Sequence, residues 1–326
     1  MQLLKDDEVI KLIQANGGLG AFVLKTISQL KRDYLRIDAF TLDARQAFHH
    51  PKGVIEVMPV ADEEHFAMKW VTGHPYNPGL GFPSILSMGI LAEMATGLPL
   101  VCCEMNVLTA IRTAAVNAMM AQMILTDAPH RVAIIGTGAQ AEFQCHALSQ
   151  VMTIDHVMYY DIDQASMDKF AQNMAKAPFD CHPETLDACV GTADVIVTLT
   201  AAKTSQDVFQ GLSPKEGAVI LATGGDCPGK TELRTDLLMQ SDIVVPFIKQ
   251  ARIEGEIQQL PESYPIQTIT QFMQYPKRSK PYWIFDSIGI AVEDYAILKV
   301  LSRYTTQDEA SFQDPRDLFA KMQHQW

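Results

Sequence analysis

The stretch "RVAIIGTGAQAEFQ", residues 131–144, decides how the rest of this chain is read. It begins as a continuous apolar run, the pattern of a strand buried on both faces, and ends in a helical pattern. Between them stands "GTGAQA" (136–141), which fits G-x-G-x-x-A. Gly136 permits the tight turn, Gly138 lets a pyrophosphate approach the backbone, and Ala141 is small enough for the helix to sit close on the strand. The helix N-terminus then offers unbonded N–H groups and the positive end of its dipole to phosphates. A glycine pattern alone is a weak sign. Here the next apolar stretch ends in "YYD", which puts Asp161 about twenty residues on, where a carboxylate accepts from both ribose hydroxyls. No Arg follows; the next residues are "IDQAS", so a 2′-phosphate would face Asp161 and Asp163. NAD is expected over NADP.

Downstream, "HVMYYD", "DVIVTLT", "GAVILATG" and "DIVVPF" are further buried-strand patterns, alternating with helical ones such as "QASMDKFAQNMAKA". Such alternation predicts an α/β domain with a Rossmann-type doubly wound parallel sheet. Upstream the character differs. Residues 1 to about 33 read as two helices broken at "NGG" (16–18). From Ala39 to Val101, "GVIEVMPVAD", "HFAMKWVTG" and "PSILSMGILAEMATGLPLVCCEM" predict an antiparallel sheet joined by Gly/Pro turns. "LTAIRTAAVNAMMAQMIL" (108–125) predicts a long helix, and "WIFDSIGIAVEDYAILKVL" a strand running into a helix that returns to the first part. The expected division is a discontinuous α+β domain over 1–114 and 299–326, with the NAD-binding domain at 115–298.

At 326 residues the chain is long enough for roughly two domains with real cores. A formal charge of −12 argues against nucleic acid as a main partner, since phosphate binding needs a basic face. "MQLLKDDEVIKLIQ" reads as a mixed-charge amphipathic helix rather than a leader, and no apolar run is read as long enough to span a bilayer. Six cysteines show no CxxC or Cys/His zinc spacing, and nine histidines are scattered. Reduced thiols in a cytoplasm and no metal site are expected.

Arg45, Glu56, Lys69 and Arg112 lie close to apolar strands or a helix start. Cations in buried-looking segments of an acidic chain suggest a carboxylate-bearing ligand, with Arg as a bidentate fork. Singly, each is more simply a snorkelling or salt-bridged surface residue. "GGDCPGKTEL" (224–233) sets Asp226 between Gly-Gly and Cys-Pro-Gly-Lys, just after "AVILAT". Loops at strand ends commonly carry chemistry on a rigid scaffold. The local alternative is a turn in which Asp226 caps a helix entered at Thr231.

Together, "GVIEVMP", "KWVTGHPYNP", "EMNVLTAIRTAA", "IIGTGAQAEFQ", "GGDCPGKTEL", "RIEGEIQQLP" and "FDSIGIAVEDYAIL" resemble the ornithine cyclodeaminase/μ-crystallin family along nearly the whole chain. The resemblance is strongest to its ornithine cyclodeaminases, because relatives acting as alanine dehydrogenases or ketimine reductases usually lack the acid of "GGDCPGKTEL". It implies that Arg45, Lys69 and Arg112 grip a substrate α-carboxylate, that Glu56 and Ile288 also line the substrate site, and that Asp226 is catalytic and meets the side-chain amine. Ser84, Thr113, Gly136, Gly138, Ala139, Gln140, Asp161, Thr200, Lys230 and Ser287 would hold NAD. Ser84 stands where the family often has Thr beside the nicotinamide, and the hydroxyl is kept. The implied reaction takes L-ornithine to L-proline and ammonia: Cα gives a hydride to NAD⁺, Asp226 accepts a proton from the δ-ammonium, the amine attacks the Cα imine, ammonia leaves and the hydride returns. A homodimer with the first-domain sheets meeting across the two-fold axis is implied as well. Lysine cyclisation, reduction of a ketimine or of pyrroline-2-carboxylate, oxidative deamination as in alanine dehydrogenase, and μ-crystallin-like ligand binding are the alternatives that the same resemblance leaves open.

Overall fold

The computed structural model describes residues 3–201 and 204–305. Two helices, α1 (Asp6–Ala15) and α2 (Gly18–Leu35), open the chain and break at the expected glycines. β1 (Thr41–Leu42), β2 (Gln46–His50), β3 (Gly53–Ala61), β4 (His65–Gly73), β5 (Ile85–Glu93) and β6 (Pro99–Glu104) then form a six-stranded antiparallel sheet. Its order is β1-β3-β4-β5-β6, with β2 pairing β3. Side chains alternate between faces along each strand, so register decides which are buried. Met58, Lys69, Gly89 and Cys103 stand in one cross-strand row, and all are buried. The opposite face presents Phe48, 60% exposed, with Ile55 and Met88 also exposed and Trp70 half-buried.

α3 (Asn106–Ile124) is the expected long helix, and it corrects one expectation. By length and composition alone it is apolar enough to cross a bilayer. In the fold it is instead an internal strut, mostly buried, packed against α2, α4 and strands of both sheets.

A second sheet follows. β7 (His130–Ile135), α4 (Ala141–Ser149), β8 (Ile154–Tyr160), α5 (Gln164–Met174), β9 (Asp180–Pro183), α6 (Leu186–Thr192), β10 (Val195–Thr198) and β11 (Val219–Ala222) alternate as the apolar runs require. α7 (Thr235–Met239), β12 (Ser241–Val245), α8 (Ile248–Glu254), β13 (Gln267–Thr268), α9 (Ile269–Gln274) and β14 (Tyr282–Asp286) complete eight parallel strands in the order β13-β12-β14-β11-β10-β7-β8-β9. All four residues of β10 and of β11 are buried, which explains their unbroken apolar sequences. β9 and β13 escaped the sequence reading because they are short, half-polar edge strands. The order reverses between β7 and β10, which leaves a crevice at their carboxyl ends, the usual place for a ligand in such a sheet.

α10 (Ala291–Ser302) leaves the end of β14 and packs back on α2, β3, β4 and β5. The expected domain limits at 115 and 299 thus fall inside α3 and α10, the two helices that join the layers. Residues 306–326 of the expected terminal segment lie outside the described residues.

Candidate active site

At the crevice, Gly136 has φ +97°, and a Cβ on it would lie 2.8 Å from the Leu199 main chain. Only glycine allows the chain leaving β7 to pass that close to the end of β10. A Cβ on Gly138 would meet nothing within 4 Å, so this side of the turn is open. Ala139 and Gln140 lead into α4, whose first residue, Ala141, is fully buried. Asp161, at the end of β8, accepts from Thr137 N at 2.6 Å and Thr137 Oγ1 at 3.1 Å. Its other oxygen accepts from Asp163 N at 3.0 Å. The carboxylate is held beside the glycine turn with lone pairs to spare. Asp163 has a different role, capping α5 by accepting from Ala165 N and Ser166 Oγ.

Three more expected residues gather at this edge. Thr200, just past β10, donates N–H at 2.7 Å to Glu232 Oε1. Lys230 Nζ donates to Thr200 O at 3.2 Å. Ser287 continues β14, its main-chain N–H bonded to Ala222 O at 2.8 Å. The buried atoms Ser287 Oγ and Gln140 Oε1 have no partner among the described residues. An open glycine turn, an oriented carboxylate and two unsatisfied polar atoms fit a dinucleotide. Thr113 on α3 spends its hydroxyl hydrogen on Thr109 O at 2.8 Å. Ser84 precedes β5, its carbonyl accepting from His74 N at 2.7 Å, and no side-chain bond joins it to the others among the described residues.

The cations meet where the two layers meet. Lys69, 2% exposed on the inner face of the first sheet, lies 3.0 Å from Asp294 Oδ2 on α10. Arg112 Nε donates to Asp294 Oδ1 at 3.1 Å, and its Nη1 to Glu293 Oε2 at 2.8 Å. Tyr34 Oη donates to the other Glu293 oxygen at 2.8 Å. Arg45 Nη2 donates to the carbonyls of Ile288 and Gly289 at 2.8 and 2.9 Å. The same guanidinium lies 2.8 Å from Glu254 and 3.3 Å from Glu56. Gly289 touches Arg112 from the other side, since a Cβ there would fall 2.5 Å from Nη1. Arg45, Lys69 and Arg112 therefore converge. Burial brings the Lys69 ammonium down to about 8, with the Arg112 and Arg45 charges adding and Asp294 opposing. Arg112 keeps its proton firmly: burial works against the charge, and Asp294 and Glu293 more than offset it.

Asp226 stands on the loop after β11. That strand ends at Ala222, in register with Asp286 of β14, so the loops carrying Asp226 and Ile288 leave the sheet side by side. The Asp226 side chain is 59% exposed and accepts from Lys230 Nζ at 3.0 Å. No helix is entered at Thr231; α7 begins at Thr235 behind Arg234, which overturns the capping alternative. Across the loop, burial pushes the Glu254 carboxyl up to about 7, Arg45 and Gln250 opposing and the charges of Glu56 and Asp226 adding to the rise. Arg45 joins Glu254 to Glu56.

Sequence reasoning passed over Glu254, Glu293 and Asp294. A signal existed for two of them: "AVEDYAIL" puts adjacent acids inside an apolar helix, where charges are almost never buried unpaired.

The family model described as "Ornithine cyclodeaminase/mu-crystallin family" matches residues 10–308. An ornithine cyclodeaminase of Brucella suis is 36% identical over 330 aligned positions, 97% of this chain and 92% of its own. Among solved structures, a lysine cyclodeaminase studied for recognition of L-lysine, L-ornithine and L-2,4-diaminobutyric acid superposes with a TM-score of 0.85 at 28% identity. The match covers 93% of this chain and 91% of that one. An archaeal alanine dehydrogenase dimer with bound NAD gives 0.81 at 27%, covering 93% and 95%. From its amino-terminal helices to the end of α10, this chain belongs to the ornithine cyclodeaminase/μ-crystallin family.

Proposed function

We propose that this protein is an NAD-dependent ornithine cyclodeaminase that turns L-ornithine into L-proline and ammonia. The observation that carries this reading is the pairing of three converged cations, Arg45, Lys69 and Arg112, with Asp226 on the loop that leaves the sheet beside the Ile288–Gly289 carbonyls holding Arg45. A diamino acid has the complementary form: a carboxylate at one end and an ammonium at the other.

The 136–140 turn, Asp161, Thr200, Lys230 and Ser287 would hold NAD, whose chemistry here would be reversible hydride acceptance at the substrate Cα, which leaves the overall conversion redox-neutral. The rest falls to the chain. Lys69 and Arg112, fixed by Asp294 and Glu293, bind and orient the α-carboxylate; Arg45 completes that end. The δ-amine is an ammonium near neutral pH and cannot attack until it loses a proton. Asp226 accepts that proton as the amine closes on Cα. Both reacting groups belong to one bound molecule, so cyclisation gains the rate of an intramolecular reaction.

Lysine is the second reading, supported by the lysine cyclodeaminase neighbour. One methylene is discriminated by only about 1–3 kcal/mol, and an exposed loop acid reaches either length. The protein acts as a homodimer in this reading, with the apolar outer face of the six-stranded sheet buried against a second copy: Phe48, Ile55 and Met88 are exposed there, and the archaeal relative is a dimer. Sedimentation showing a monomer at micromolar concentration would remove that part. The six unpaired cysteines support a cytoplasmic setting.

The decisive experiment is incubation with L-ornithine and NAD⁺. Proline and ammonia are expected one for one with no NADH accumulating. NADH build-up matching ammonia release would identify an oxidative deaminase instead.

A further inference from the structure

Beneath the Asp226 loop lie three buried acids that the reaction does not use. Glu232, 1% exposed, accepts from Thr200 N at 2.7 Å and Thr200 Oγ1 through one oxygen, and from Gly224 N at 3.0 Å through the other. Glu256 accepts from the main-chain N–H of Glu232 at 2.7 Å and of Leu233 at 3.1 Å. Asp286 accepts from Ile257 N at 3.1 Å. The carboxylates therefore sit on main-chain N–H groups, which are normally met by carbonyls. They tie together the ends of β10, β11 and β14 and the turn after α8.

The glycines of the loop are shaped to this arrangement. A Cβ on Gly224 would lie 2.1 Å from Glu232 Oε1, and one on Gly225 2.6 Å from Glu256 Oε1. Gly255 stands in the same relation to Asp286 Oδ2, at 2.5 Å. Each glycine is the space through which a carboxylate reaches the backbone. The Gly-Gly step before Asp226 thus has a reason beyond turning: two acids are pressed against it.

We propose that Glu232, braced by Glu256, is a positioning residue for Asp226, because it pins the Gly224–Gly225 step to Thr200 and so fixes where the Asp226 carboxylate stands. The proposal rests on the reading of Asp226 as the proton acceptor. Thr200 N and Gly224 N can only donate, whereas the Thr200 hydroxyl can turn to accept. In Glu232→Gln the amide NH₂ must face one of those two main-chain N–H groups, so one main-chain bond is lost whichever way the amide turns. Losing the Gly224 tether frees the loop that carries Asp226, and misplacement by about 1 Å costs on the order of 10²-fold in rate.

The test compares two reactions in Glu232→Gln, Asp226→Asn and the double variant: cyclisation of ornithine, and reduction of preformed Δ1-pyrroline-2-carboxylate by NADH, which asks nothing of Asp226. Glu232→Gln is expected to lower kcat for cyclisation about 10-fold or more while imine reduction falls far less. The double variant should cyclise no more slowly than Asp226→Asn alone, since Glu232 acts through Asp226. Equal loss in both reactions, no loss in either, or losses that multiply in the double variant would each overturn the proposal. If Asp226→Asn itself cyclises at the wild-type rate, the failure lies with the reading of Asp226 and is recognised as such. Should Glu232→Gln not fold, Glu232→Asp, which keeps the charge but withdraws it by one methylene, is put through the same comparison with the same expected split.

Discussion

Lys69 and Arg112, proposed for the substrate carboxylate, are buried and cross-braced by Glu293 and Asp294. Asp226, proposed for the substrate amine, stands 59% exposed on a surface loop with a single lysine partner. In the proposed function the first arrangement reads what every α-amino acid has in common, and the second reads what differs between them. A buried network of charges is costly to alter, because removing one member strands the others. An exposed loop residue with one buried partner carries less of that penalty. On the proposed function, the shared part of the chemistry is built into the joint between the layers, and the variable part is carried on the more exposed loop.

Three measurements bear on that contrast. Arg112→Ala has the largest expected effect. It leaves Glu293 and Asp294 facing each other with one cation fewer, so ornithine binding should weaken by about 2–5 kcal/mol and the fold by about 3–5 kcal/mol. KM for ornithine, affinity for NAD and the melting temperature read the three quantities. A variant that melts normally and binds ornithine normally would break the comparison at its buried end. Asp226→Asn comes next. It should slow cyclisation by about 10²-fold and lower the melting temperature little, because the Asn oxygen can still accept from Lys230, the buried lysine that Asp226 meets. A marked loss of stability would show that the loop is less independent than its exposure implies.

The smallest effect is one of pH. Lys69 titrates near 8 in the fold against 10.5 ordinarily. Its charge, present below about 8, is what a carboxylate meets, so KM for ornithine should rise about 4-fold between about pH 7 and about pH 8.5. Stability should move the other way. Between the two values the unfolded chain holds more protons than the folded one, so unfolding becomes harder as pH rises through that window. Lys69→Arg, which stays charged, should flatten the rise in KM. A KM profile that is flat in the native protein would remove Lys69 from the carboxylate end.

The parallel sheet was legible because its strands are unbroken apolar runs set between helical patterns, and the turn at 136–141 named its ligand class. The short strands β9 and β13 were not, having too few apolar residues to show a period. α3 is recognisable as a helix, but its length and apolarity do not say whether lipid or protein covers it; only its neighbours in the fold do. At the site, the cations and Glu56 were found from their improbable surroundings, while the counter-acids Glu254, Glu293 and Asp294 were not. Lys69 and Asp294 stand 225 positions apart, and Arg45 and Ile288 243. Pairing at that range is a property of the fold rather than of any local pattern. The same holds for Glu232 and Glu256, whose partners are main-chain N–H groups of other loops.

The return of α10 to the first layer has a consequence for how this chain comes off the ribosome. The six-stranded sheet is made before the parallel one, yet the helix that covers its inner face, and Asp294 that answers Lys69 and Arg112, are made after it. All eight strands of the parallel sheet, residues 130–286, emerge in between. Lys69 on the nascent sheet and Arg112 on α3 are without these acids until Ala291–Ser302 arrives. The antiparallel layer, made before the parallel sheet, is therefore completed only after it, when α10 has been translated.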